Sequence, residues 1–237
     1  MLYKYINYIL SLLKADYMPF LIRKWSPEEV SKYKQFINKG LNEDYKSMLY
    51  LSLKQYYGKN FELFLFNSGR SALFFFLKSL NLDNKSQVIL PSYSCYGLIE
   101  PIIRANLLPH FVDINDDLNI SFNSVKKSIN KNTKVIIIPH LGGKYASDTG
   151  LIYKIARKNK IIVIEDSCQA FGLKIDNKPI GTNGDFAFFS AGEGKPLFSS
   201  GGGWLIMRKK KINLKKQIKL ESTNYKEQIH RIKNFKL

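Results

Sequence analysis

From residue 61 onward, short apolar runs alternate with segments whose apolar residues recur at helical spacing. The runs 61–66 (FELFLF), 88–90, 110–112, 135–138, 161–164, 186–189 and 204–207 have the length and the β-branched or aromatic content of strands. Helical patterns occupy intervals between the earlier runs at 71–80, 98–105, 124–129 and 148–158. Strands that are apolar at nearly every position must be covered on both faces. The pattern therefore predicts an α/β protein with a mostly parallel sheet between two helical layers. No helical pattern separates the runs 186–189 and 204–207, so there the sheet is expected to continue through strands and loops.

Ahead of this region, Ser26-Pro27-Glu28-Glu29 has the form of a helix start, with a capping serine, a proline at the first helical position and a glutamate three residues after the serine. Val30, Tyr33, Phe36 and Ile37 give that helix an apolar face, and Gly40 ends it. A second helix is expected over 44–57, closed by Gly58. Tyr3, Ile6, Ile9, Leu10 and Leu13 also repeat at helical spacing. The run 6–13 is broken by Asn7, Tyr8 and Ser11 and falls short of the about 20 apolar residues that a membrane span needs. No small-residue cleavage site follows it. It predicts an amphipathic helix packed on the body or on a partner, not a transmembrane segment. The expected division is an N-terminal helical segment (1–60), one large α/β domain (61–207) and a basic, helical C-terminal tail (208–237).

Composition adds constraints. A chain of 237 residues with 45% hydrophobic and 14% aromatic content can bury a core without staples. Its two cysteines, Cys95 and Cys168, form no disulfide framework and no metal-ligand spacing, which points to a reducing, cytoplasmic setting. The net charge is +18, and 208–237 holds 11 Lys/Arg against 2 Asp/Glu, half of the excess. Such a stretch reads as a solvated helical face in a Lys- and Asn-rich chain, or as attraction toward an anionic substrate or surface. No nucleic-acid-binding motif accompanies it, so no specific nucleic-acid partner is expected.

In open α/β sheets, ligands bind beyond the carboxyl ends of the strands. After 61–66 comes Asn67-Ser68-Gly69-Arg70-Ser71-Ala72, small residues opening a helix whose free N–H groups and dipole suit a phosphate. After 161–164 comes Glu165-Asp166-Ser167-Cys168-Gln169, where a carboxylate at a buried strand end needs a partner: a cationic ring nitrogen, a helix cap or a structural ion pair. After 186–189 comes Ser190-Ala191-Gly192-Glu193-Gly194-Lys195, then Ser199-Ser200-Gly201-Gly202-Gly203. A lysine there is a nucleophile if its surroundings favour the neutral amine, and otherwise a surface cation in a loop.

In order and spacing these segments resemble the DegT/DnrJ/EryC1/StrS family of sugar aminotransferases, a branch of the fold-type-I pyridoxal 5'-phosphate (PLP) enzymes. The resemblance is carried by GRSAL (69–73), VILPSYS (88–94), FVDIN (111–115), KVIIIPHLGG (134–143), IEDSCQAFG (164–172), IGTNGDFAFFS (180–190) and the following Lys195 and triple glycine. It implies the three-layer α/β/α large domain of that fold type. It also implies that Asp166 faces the pyridine nitrogen, that Gln169 lies near the ring's phenolic oxygen, and that Gly69, Arg70, Ser71 and Ser190 hold the phosphate. Lys195 is implied as the Schiff-base lysine and proton carrier, and Tyr93 or Tyr96 as the aromatic stacked on the ring. The implied reaction transfers an amino group from an amino acid, usually glutamate, to a nucleotide-linked keto-sugar in amino-sugar or cell-surface polysaccharide biosynthesis. A homodimer or a complementing second chain is implied as partner.

The sequence departs from the family pattern at Cys95, between the two tyrosines, and at Arg70, where a small hydroxyl residue is common. That arginine either contacts the phosphate or points to solvent and leaves its N–H. Family members also continue past the triple glycine into a small C-terminal domain, so a truncated, catalytically incompetent remnant or partner subunit is the alternative reading. A related sugar dehydratase carries histidine in place of the lysine, and Lys195 argues against it. His140, in PHLGG, is expected to have a structural hydrogen-bonding role, while His110 belongs to a strand.

Overall fold

A computed structural model describes residues 45–209 apart from Phe198 and Ser200, together with Pro27, Glu28 and Ser31. The expected amphipathic helix over 3–13 and the basic tail beyond 209 lie outside the described residues. Of the helix expected from Ser26, only Pro27, Glu28 and Ser31 are described, and all three are helical.

The chain forms α1 (Tyr45–Tyr57), β1 (Phe61–Phe66), α2 (Gly69–Ser79), β2 (Gln87–Pro91), α3 (Ile99–Arg104), β3 (Leu108–Val112), α4 (Phe122–Ser128), β4 (Thr133–Pro139), α5 (Thr149–Lys158), β5 (Ile162–Asp166), β6 (Lys174–Ile175), β7 (Lys178–Pro179), β8 (Phe186–Ser190) and β9 (Gly203–Arg208). Local chemistry sets several of the boundaries. Gly58 closes α1 in the left-handed region (φ +78°), where a Cβ would be strained. Ser68 caps α2, its Oγ accepting the Ser71 N–H at 3.1 Å. Ser121 does the same for α4 through the Ser124 N–H. Asp148 ties the starts of α4 and α5 together, its Oδ2 accepting the Phe122 N–H at 2.7 Å just before the first residue of α5.

Seven strands form one sheet in the order β1-β9-β8-β5-β4-β2-β3. β9 is antiparallel to both its neighbours, β1 and β8, and the pairs from β8 to β3 are all parallel. Alternate side chains enter opposite layers. Val88, Leu90, Val135, Ile137, Ile164, Phe188 and Leu205 pack with α2 and α3. Ile89, Ile136, Ile138 and Val163 pack with α4 and α5, and Phe61, Leu63, Phe189, Trp204 and Ile206 with α1. This two-sided burial explains why the strands read as continuous apolar runs. It gives the three-layer α/β/α architecture expected from the sequence.

All seven expected strands are present, with ends within two residues of those read from the sequence, as are the helices from α1 to α5. The hairpin β6–β7 was not foreseen. Its turn residues Asp176 and Asn177 both have positive φ (49° and 60°), as a tight two-residue hairpin turn requires. The Asp-Asn pair was the available signal, but strands of two residues are too short for an alternation to register.

Phe76 of α2 is fully buried, with its ring centroid 4.8 Å from that of Phe186. Phe76→Ala is expected to destabilise the protein by about 3–5 kcal/mol, measured by equilibrium denaturation.

Candidate active site

Because only β9 is reversed, the carboxyl ends of β1, β8, β5, β4 and β2 meet the start of β9 on one edge of the sheet. Backbone packs against backbone there. A Cβ on Gly203 would lie 2.4 Å from the Ser68 carbonyl carbon, 2.5 Å from Gly69 N and 2.7 Å from the Phe189 oxygen. A Cβ on Gly69 would lie 3.0 Å from Ser190 Cβ and 3.1 Å from Cys168 Sγ. Gly202, with φ +113°, donates its N–H to the Asn67 oxygen and accepts the Ala191 N–H, each at 2.9 Å. These contacts seat the amino end of α2 directly against the end of β8.

The predicted site residues distribute as follows. Gly69 is buried at the first position of α2, with Ser71 one turn-edge further on, its N–H held by the Ser68 cap. The Arg70 side chain lies along Gly97, and its guanidinium is 4.0 Å from Glu100 of α3. Ser190 ends β8 beside Gly69, its Oγ accepting the Gly192 N–H at 3.3 Å. Asp166 ends β5 in register with Pro139 of β4 and Phe188 of β8, and its Oδ1 accepts the Cys168 N–H at 3.0 Å. Lys195 follows a turn closed by its own N–H to the Gly192 oxygen (3.2 Å) across Gly194, φ +73°. Tyr93 and Tyr96 stand on the loop after β2, 55% and 77% exposed.

Burial pushes the Cys168 thiol well above its ordinary range, the Asp166 carboxylate pushes it further, and the Lys195 ammonium works against the rise. That thiol is packed under Gly69. Gln169 turns the other way: its Oε1 accepts the Gly142 N–H at 2.7 Å, so its NH2 is what remains to donate to a ligand.

One arrangement escaped the sequence reading. Glu165 is fully buried and accepts from His140 Nε2 (2.7 Å), the Tyr153 hydroxyl (2.8 Å) and the Gly184 N–H (3.1 Å). His140 Nδ1 accepts the Ala146 N–H at 3.2 Å, which places the imidazole proton on Nε2, toward Glu165. His140 thus has the structural hydrogen-bonding position expected of it. Strand parity was the missed signal: Glu165 shares its face with the buried Val163 and so had to find donors. Burial and the neighbouring Glu165 carboxylate raise the Tyr153 hydroxyl well above its usual range.

Chemically, the edge offers a helix amino end at α2, an acceptor carboxylate at Asp166 and a donor NH2 at Gln169. Among the described residues, no three or more His, Cys, Asp or Glu are grouped to hold a metal ion, and no helix is long and apolar enough to cross a membrane.

This sheet, with a glycine-rich edge and helices on both faces, is the large-domain fold of fold-type-I PLP enzymes. It superposes on NtdA of Bacillus subtilis, solved with bound cofactor PMP, with a TM-score of 0.72 at 26% identity, covering 84% of this chain and 46% of that one. The fold also matches the E. coli GDP-4-keto-6-deoxy-D-mannose-3-dehydratase solved with hydrated PLP (TM-score 0.69, 24% identity, 81% of this chain and 51% of that one). The chain belongs to the DegT/DnrJ/EryC1/StrS aminotransferase family, whose model matches residues 28–234. A GDP-perosamine synthase of Vibrio cholerae is 29% identical over 141 residues, 59% of this chain and 38% of that protein. The GDP-perosamine synthase of Escherichia coli O157:H7 is 27% identical over 195 residues, 79% of this chain and 53% of that protein. The chain spans about half the length of these relatives, or less.

Gly203→Ala is expected to cost about 1–3 kcal/mol through overpacking against backbone, read as a lowered denaturation midpoint. Native protein is expected to consume one equivalent of a thiol reagent at neutral pH, through exposed Cys95, and a second equivalent, from buried Cys168, only on unfolding.

Proposed function

We propose that the protein is a PLP-dependent aminotransferase acting on a nucleotide-linked keto-sugar, with an amino acid, glutamate, as donor, in amino-sugar or cell-surface polysaccharide biosynthesis in the cytoplasm. One observation carries the reading: the amino end of α2, Ser190 at the end of β8 and Asp166 at the end of β5 stand together on one edge of the sheet, and the loop to Lys195 leaves from Ser190. Family membership and relatives named as sugar aminotransferases support the reaction class.

The residues fit the cofactor. The first turn of α2, at Gly69 and Arg70, with the hydroxyls of Ser71 and Ser190, suits a phosphate dianion, and a Cβ at 69 would push this turn away from Ser190. The Asp166 carboxylate accepts from the protonated ring nitrogen and keeps the proton there. The Gln169 NH2 donates to the phenolic oxygen. Lys195 Nζ would be the amine that holds the cofactor and the base that moves a proton between the substrate carbon and the cofactor carbon. Tyr93 or Tyr96 would be the aromatic that stacks on the ring. Bound PLP supplies the electron sink for that proton transfer. The reading includes a homodimer or a complementing second chain. A partner subunit that keeps the PLP-binding fold without turnover is the second reading.

Titration of the purified protein with PLP is expected to produce a visible absorption band, and borohydride to fix the cofactor on the peptide containing Lys195. Lys195→Ala loses both, and Asp166→Ala weakens PLP binding about 10- to 100-fold, the loss of one charge-assisted hydrogen bond. A folded protein that takes up no PLP overturns the proposal. Formation of amino-sugar by the chain, alone or with a second chain, separates the aminotransferase from the non-catalytic subunit.

A further inference from the structure

His140 makes two bonds to consecutive residues of the neighbouring strand. Its backbone N–H donates to the Asp166 oxygen at 3.0 Å, and its ring Nε2–H donates to Glu165 Oε2 at 2.7 Å. The turn it begins, 140–143, is then held at two more points. The Leu141 N–H donates to Asn119 Oδ1 at 3.0 Å, and the Gly142 N–H donates to Gln169 Oε1 at 2.7 Å, with Gly142 in the left-handed region (φ +65°). The ring is further fixed by stacking on Tyr145, centroids 5.1 Å apart, and by the Ala146 N–H on Nδ1. A continuous path therefore runs from a buried carboxylate, through one imidazole and two residues of turn, to the amide of Gln169.

We infer that Glu165 and His140 are positioning residues for the cofactor site, holding the 140–143 turn so that the Gln169 oxygen is occupied and its NH2 is presented to the ligand. The inference rests on the reading of Gln169 as a cofactor contact. The carboxylate matches its surroundings only as an acceptor on both oxygens: Oε2 faces the imidazole, and Oε1 faces the Tyr153 hydroxyl and the Gly184 N–H. Glu165→Gln puts an NH2 against a donor on one side or the other. If the imidazole shifts its proton to Nδ1 to adapt, it gives up the Ala146 bond and the turn loosens. Tyr153→Phe removes a donor from the opposite oxygen and leaves the path to Gln169 whole.

Amide hydrogen exchange at Gly142, followed by NMR on the full chain without cofactor, tests the path directly. Exchange is expected to accelerate about tenfold in Glu165→Gln, His140→Asn and Gln169→Ala, and to stay within about twofold of the unsubstituted protein in Tyr153→Phe, even where the melting temperature falls. Should Glu165→Gln fail to fold, His140→Asn and Gln169→Ala cut the same path. Unchanged Gly142 exchange in these variants, or equal acceleration in Tyr153→Phe, overturns the inference. With PLP added, Glu165→Gln and Gln169→Ala are expected to shift the pH midpoint of the visible band in the same direction, and Tyr153→Phe to leave it in place. A band unmoved in Glu165→Gln removes the positioning role. A wild-type protein that never acquires the band overturns the cofactor reading and, with it, the purpose assigned to the turn, while Gly142 exchange still reports whether the path exists.

Discussion

Nothing larger than hydrogen fits between the start of β9 and the turn that leads into α2. A Cβ on Gly203 would lie within 2.7 Å of three backbone atoms, from Ser68, Gly69 and Phe189. This close approach lets a single reversed strand enter an otherwise parallel sheet at the place where the helix begins. It sets the amino end of α2 beside Ser190 and brings the glycine-rich loop that carries Lys195 back to the same edge. The functional geometry follows from how tightly main chain meets main chain there, and side-chain chemistry is added on top.

Behind that edge lies a second constraint of a different kind. A carboxylate with no access to water is costly unless its oxygens are filled. Glu165 satisfies this with donors from β4, α5 and the turn before β8, joining three pieces of the fold through one side chain. Gly184 is held to glycine by the same packing, since a Cβ there would lie 1.6 Å from the Tyr153 hydroxyl. Asp166 is the next residue along. Its carboxylate remains partly exposed at the strand end, with one oxygen on the Cys168 N–H. Two adjacent acids thus have opposite environments because a strand alternates its faces.

The elements themselves were legible in the chain. A strand such as 135–138 declares itself because it is buried on both sides, and α2 does so through Ser68, Gly69 and an apolar stripe. The hairpin around Asp176 and Asn177 was too short to leave a period. Arg70 illustrates another limit: from the sequence its side chain could equally meet a phosphate or solvent, and only the placement of α3 turned it toward Glu100. Glu165 was read only as part of a polar cluster, since its partners His140, Tyr153 and Gly184 are 12 to 25 residues away.

By itself, the order of residues determined the alternation of strands and helices and the polar segment after each strand. These are local properties, set by hydrophobic period and by turn chemistry within a few residues. Tertiary structure alone decided which strand ends became neighbours, that β9 runs against its partners, that Glu165 meets His140, and that the turn beginning at His140 is bonded to Gln169. Those outcomes depend on long-range strand order and on which side chains fill the space between layers, and no short window of sequence specifies either.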